Sequence, residues 1–151
     1  MSAWISRRSG ADRGGPNPAG QGQKAFEAMG GHARLIPVLV VHGSNDVRVN
    51  PVNGDQVIQQ WLHTNRLATG GAFTADFATP DTTIPFPEAT PGGHPYRVRT
   101  WTDNRGKIVL EYWTIDGMGH AWSGGYWLGS FADPRGPNAT RAMYSFFSRY
   151  R

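Results

Sequence analysis

The stretch that most limits what this chain can fold into is IPVLVVHGSNDVRVNP, residues 36–51, an apolar run that stops abruptly in turn-forming residues. Ile36 and residues 38–41 are too few for an independent helix and rich in β-branched side chains, which predicts a central strand covered on both faces. His42, Gly43, Ser44, Asn45 and Asp46 then end it, because glycine and Asx residues accommodate the backbone of a tight turn. In open parallel sheets, ligands and reacting groups gather at the carboxyl ends of strands. Asp46 is therefore the first candidate for chemistry. The same residue also suits a plain Asx turn.

Composition narrows the classes of function. A chain of 151 residues with 38% hydrophobic content has the size of one domain. Its 20 glycines and 11 prolines point to many turns and long loops rather than a helical bundle. The absence of cysteine excludes disulfides, thiolate metal sites and a cysteine nucleophile. Net charge is +4, with its densest basic run at Arg7, Arg8 and Arg13 and the other arginines scattered. A nucleic-acid reader gathers its basic residues on one face, so no nucleic-acid partner is expected. No apolar run approaches the roughly 18 residues of a transmembrane helix, and the amino end lacks a signal peptide's apolar core. No membrane partner is expected either. His32, His63 and His94 lack metal-ligand spacing and read as surface residues, while Gly117-x-Gly119 lacks the third glycine of a dinucleotide fingerprint. Neither metal nor cofactor is expected.

Residues 1–22, rich in Gly, Pro, Ser and Arg with Trp4 and Ile5 the only large apolar side chains, bury too little to order themselves and read as a flexible amino-terminal segment. The domain is expected over 23–151. It opens with a short helix at 23–29, ended by Gly30 and Gly31. Val57, Ile58, Trp61 and Leu62 share one face of a second helix at 53–66, with Pro51 ahead of it and Asp55 in its first turn. Residues 68–94 lack periodicity and read as a surface excursion beside the site. Apolar runs at 96–101 and 107–115 flank Asp103, Asn104, Arg105 and Gly106, which is hairpin turn chemistry. Next comes a glycine-rich loop carrying His120, and then a closing helix at 138–150 with Asn138 as its cap. Asn138-Ala139-Thr140 also matches a glycosylation acceptor, for which the cap is the simpler account.

An acid and then a histidine, each in a loop beyond a strand and each followed by a helix, form the closing part of the order Ser, Asp, His found in α/β-hydrolases. A serine hydroxyl is a weak nucleophile until an imidazole takes its proton, and the imidazole needs a carboxylate to fix its tautomer and balance its charge. HGSNDVRVNPVNGDQVIQQW at 42–61, IDGMGHAWSGG at 115–125 and the closing DPRGPNATRAMYSFFSRY resemble the polyhydroxybutyrate depolymerase and feruloyl esterase family of secreted α/β-hydrolases. The likeness spans about residues 25–151. It implies the carboxyl-terminal portion of an α/β-hydrolase fold, with a mostly parallel sheet and flanking helices. It also implies an extracellular serine esterase acting on polyhydroxyalkanoate, feruloyl or acetyl esters. By that resemblance Asp46 would be the triad acid and His120 the general base. Trp122, from its place beside His120, reads as a substrate-binding residue lining an acyl or aromatic pocket, and equally as a packed loop anchor.

The chain departs from that family in having no G-x-S-x-G elbow. Ser44, Ser123, Ser130 and Ser145 all fail the pattern, and Ser123, in AWSGG, comes nearest. The nucleophile half is therefore expected to be absent, with a missing amino-terminal half as partner and no activity from the chain alone. A second reading, from another class, is a non-catalytic module that stacks Trp101, Trp113, Trp122 and Trp127 on a polymer or polysaccharide.

Overall fold

The apolar run forms β1 (Val38–Gly43) in a computed structural model that describes residues 10–88 and 91–150. In chain order the elements are α1 (Gly10–Arg13), α2 (Pro18–Met29), β1, α3 (Val52–Ala68), β2 (Thr82–Phe86), β3 (Tyr96–Thr102) and β4 (Ile108–Ile115). They are followed by the two-residue strands β5 (Trp122–Ser123) and β6 (Ala132–Asp133), and by α4 (Ala139–Phe147). The main sheet has four strands in the order β1-β4-β3-β2. Among the described residues no helix is long and apolar enough to cross a membrane.

The sheet is mixed, which corrects the expected mostly parallel α/β-hydrolase sheet. Only β1 and β4 run parallel within it, while β3 pairs antiparallel with β4 and β2 antiparallel with β3. The cause is local. Gly106 N–H donates to the Asp103 carbonyl, and Asp103 Oδ1 accepts from the Arg105 and Lys107 amides, closing a turn too short for any crossover. Such a turn can only bring the chain back antiparallel. β2 then arises inside residues 68–94, where a surface excursion was expected. Its five exposed residues carry no alternation to announce a strand, and Pro85, which lacks an N–H, is tolerated because β2 lies at a sheet edge. β1 lies at the opposite edge and is half-buried rather than covered on both faces.

α3 covers one face of the sheet. Ile58 and Leu62 meet Trp101, Leu110 and Tyr112 in the core, and Phe73 joins them from the long connection. Val57, predicted on the same face, is exposed. α3 starts one residue before the predicted boundary, and just ahead of it Asn50 Oδ1 accepts from the Val52 amide in an Asx turn. Buried Asn65 hydrogen-bonds both the N–H and the carbonyl of Ile36, at 2.8 and 2.9 Å, and ties the approach to β1 onto α3. Arg99 lies over the Tyr112 and Phe77 rings and pairs with Asp55 at 3.5 Å. Burial first, and the neighbouring Asp55 second, push the Tyr112 phenol well above its ordinary value.

α2 begins at Pro18, five residues ahead of the helix read from the sequence, because Asn17 accepts from the Gly20 amide and Pro18 suits the first helical position. Residues 10–22 are thus partly helical, and Gln56 holds the Gly15 amide. Trp4, Ile5, Arg7 and Arg8 lie outside the described residues.

The approach of α3 to the sheet leaves no room at Gly54. A Cβ there would stand 2.6 Å from the Tyr112 hydroxyl oxygen and 2.8 Å from His42 Nδ1. Glycine to alanine inside a helix ordinarily gains about 1 kcal/mol, but overpacking of this kind costs about 1–3 kcal/mol. Gly54→Ala is expected to lower the urea midpoint of unfolding. A raised midpoint would contradict the close approach.

Candidate functional site

Parallel pairing in the register Gly43↔Ile115 brings the carboxyl ends of β1 and β4 together. The loops that leave them are sewn to each other. Ser44 N–H donates to the Ile115 carbonyl at 2.8 Å, Asn45 N–H to the Met118 carbonyl at 3.0 Å, and Gly117 N–H to Ser44 Oγ at 2.9 Å. Gly43 is required for this contact, since a Cβ on it would run into the Met118 carbonyl. Met118 is buried beneath and holds the second loop down.

Asp46 sits in the first of these loops. Its Oδ1 accepts from the Arg48 and Val49 amides at 2.9 and 2.8 Å, so the Asx turn and the chemical candidate are one residue. The other oxygen, Oδ2, is 2.9 Å from His120 Nδ1. Because an ionised carboxylate only accepts, Nδ1 carries the proton, and Nε2 is left without a partner among the described residues. Burial opposes ionisation of Asp46, but the Val49 amide, the His120 ring and the Arg48 amide outweigh it and hold the carboxyl below its ordinary range. The two members differ in exposure, with 7% of the Asp46 side chain and 46% of the His120 side chain open to solvent. His42 Nε2 donates to the Val49 carbonyl at 3.0 Å and lies 3.5 Å from Asp46 Oδ2, bracing the loop from behind.

A cavity of about 400 Å³ opens at this pair, lined among others by Val41, Asp46, Met118, His120, Trp122 and Phe131. Phe131 meets the His120 ring edge-on, with centroids 6.4 Å apart. Trp122 lines the cavity and also donates its Nε1–H to Thr140 Oγ1 at 3.2 Å, so it is both wall and anchor. No serine is among the lining residues. Ser123 is buried and donates to the Pro137 carbonyl at 2.6 Å, which makes the nearest sequence match to a nucleophile a structural residue. Ser44 Oγ accepts from Gly117, Ser145 lies on α4 in a different cavity, and Ser130 is exposed outside the cavity wall.

The predicted four-tryptophan platform does not assemble. Trp101 is fully buried and donates to the Asp76 carbonyl, and Trp113 stacks on Tyr96, whereas Trp122 and Trp127 are exposed. Sequence reasoning also missed a second histidine–aspartate pair. His94, read as a surface residue, is buried, with Nε2 2.8 Å from Asp133 Oδ2 and its N–H on the Arg135 carbonyl. Asp133 is held below its ordinary range although burial opposes this, because Arg135 and His94 bind its carboxylate. The pair pins the loop between β5 and β6, which carries Phe131. The Asp-Pro-Arg-Gly sequence there signalled a turn but not its partner.

No protein-family model matches the chain, and no curated protein matches it. Among the described residues no group of three or more histidine, cysteine or acidic side chains is placed to hold a metal ion.

Both carboxylates are depressed in the fold, so between the folded and unfolded pKa values the unfolded chain binds more protons and stability rises with pH. Their contribution is full above about pH 4 and is lost as pH falls through the depressed folded values. Asp46→Asn should therefore lower the unfolding free energy at pH 6 by about 1–3 kcal/mol. It should also flatten the loss of stability between pH 5 and pH 3. An acid limb as steep as wild type would contradict the depressed Asp46 carboxyl.

Proposed function

We propose that Asp46 and His120 are the acid and general base of a carboxylic ester hydrolase of the polyhydroxyalkanoate depolymerase, feruloyl esterase or acetyl esterase type. The observation that carries the reading is the 2.9 Å bond between a carboxylate fixed by backbone amides and a half-exposed imidazole at a cavity. The motif resemblance of residues 42–61 and 115–125 supports the ester class and an extracellular setting. Asp46 holds the Nδ1–H tautomer, Nε2 takes the proton of an attacking hydroxyl, and Asp46 balances the imidazolium until that proton passes to the leaving alkoxide. Trp122 and Phe131 supply an apolar wall for the acyl or aryl part of the substrate. The attacking serine comes from outside the cavity wall, on a segment of the missing-half type implied by the resemblance.

A second reading, attachment to an apolar polymer, is favoured by one observation. Trp122, Tyr126, Trp127, Leu128 and Phe131 are all exposed within ten residues of one another, beside His120. The two readings share a surface, and turnover distinguishes them.

Hydrolysis of p-nitrophenyl butyrate tests the roles. With water as the nucleophile, a positioned histidine contributes roughly 10²- to 10⁴-fold, short of the ~10⁶-fold or more of a complete enzyme. The chain alone is expected to stay at that lower level, to fall to background in His120→Ala, and to be unaffected by Ser123→Ala. Full enzymatic turnover abolished by Ser123→Ala would contradict the structural role of that serine. Turnover that survives both Asp46→Ala and His120→Ala would contradict the roles of the pair.

A further inference from the structure

On the sheet face away from α3, a cavity of about 300 Å³ separates Tyr96, Glu111 and Trp113 from Asn138, Arg141 and Ser145 at α4. It shares no lining residue with the His120 cavity. One wall is aromatic. The Phe86, Tyr96 and Trp113 rings stack across β2, β3 and β4 at 4.7 and 5.2 Å, with planes inclined by 8° and 12°.

The other wall is a row of hydrogen-bond donors. Asn138, Arg141, Ser145 and Arg149 recur at helical spacing, whereas the residues α4 buries, Ala139 and Phe146, lie on a different stripe. α4 therefore does not close onto the aromatic row. The acid lining the cavity, Glu111, is already satisfied, accepting from Trp113 Nε1 at 2.6 Å and from Arg149 Nη1 at 3.4 Å. That pairing cancels Arg149 and leaves Arg141 as the uncompensated cation among the described residues lining the cavity. Neither the Arg141 guanidinium nor the Tyr96 and Ser145 hydroxyls hydrogen-bond another described residue. Unused donors, one net positive charge and a ring wall thus converge on a space at the small end of the range for organic ligands.

We infer that this cavity binds an aromatic monocarboxylate, with its carboxylate on Arg141 and its ring against Tyr96 and Trp113. A guanidinium fork matches a carboxylate in shape and charge. One uncompensated cation among the described lining residues, beside the Glu111 carboxylate, balances a monoanion and disfavours a phosphate dianion. The ring wall adds the affinity that a bare anion lacks.

Benzoate is the probe, titrated into the full chain while the indole N–H resonances are followed by NMR. The Trp113 indole is the reporter, since its N–H is held by Glu111, and the Trp122 indole marks the other cavity. A saturable shift of Trp113 with Trp122 unmoved is expected. Affinity should fall by about tenfold or more for uncharged benzamide and for Arg141→Gln, and by a smaller factor for cyclohexanecarboxylate. Arg141 is exposed, so the variant should keep the wild-type melting temperature. Should it not, Arg141→Lys, which keeps the charge and loses the fork, must still weaken benzoate. Absence of a saturable Trp113 shift would overturn the inference. So would benzoate binding unchanged in both Arg141 variants, or inorganic phosphate competing as well as benzoate.

Discussion

The parallel pairing of β1 with β4 is the interaction on which the rest of the arrangement depends. It joins strands far apart in sequence and sets Gly43 against Ile115. With that register, loops of a few residues suffice to bring Asp46 and His120, 74 positions apart, into hydrogen-bond contact. A slip of one residue would turn the shifted strand's side chains to the opposite face. It would also break the Ser44, Asn45 and Gly117 bonds that join the loops. The register is protected by the core on one side, where Tyr112 and Leu110 meet Ile58, and by Asn65, which fixes the chain just before β1.

The two histidine–aspartate pairs have nearly equal lengths, 2.9 Å for His120–Asp46 and 2.8 Å for His94–Asp133, and differ in what surrounds them. In the second, both side chains are largely buried and Asp133 is shared with Arg135, so the pair fastens a loop. In the first, a buried carboxylate supports a ring that stands half in solvent at a cavity. That asymmetry, more than the hydrogen bond, separates the two pairs, since the His120 ring reaches solvent at a cavity and the His94 ring does not. The fastening by His94 serves the same region, because the loop it holds brings Phe131 to the His120 ring.

The strand at 38–41, the helices α3 and α4 and the hairpin at 103–106 were legible because each rests on a local signal: an apolar run, a helical stripe, or turn residues between two apolar segments. The sheet's mixed character was not read, although the hairpin already required an antiparallel pair. The family resemblance pointed to a parallel sheet, and β2, with five exposed residues, gave no alternation to weigh against it. Asp46 and His120 were legible because glycine-rich turns beyond apolar strands mark them. His94 was not, since its burial comes from Asp133, 39 residues away, and no local pattern encodes that contact. Arg141 has the same difficulty, as what distinguishes it is that the acid across the cavity, Glu111, is taken by Arg149.

Everything proposed for the site rests on Asp46 fixing the tautomer of His120 and leaving Nε2 free to accept a proton. Long-range ¹H–¹⁵N correlation of the His120 ring, recorded at a pH where the imidazole is neutral, measures this directly. A protonated Nδ1 and an unprotonated Nε2 are expected in the native chain, with mixed tautomers in Asp46→Ala. A native ring protonated at Nε2, or one whose tautomer is unchanged by Asp46→Ala, would contradict that role of Asp46.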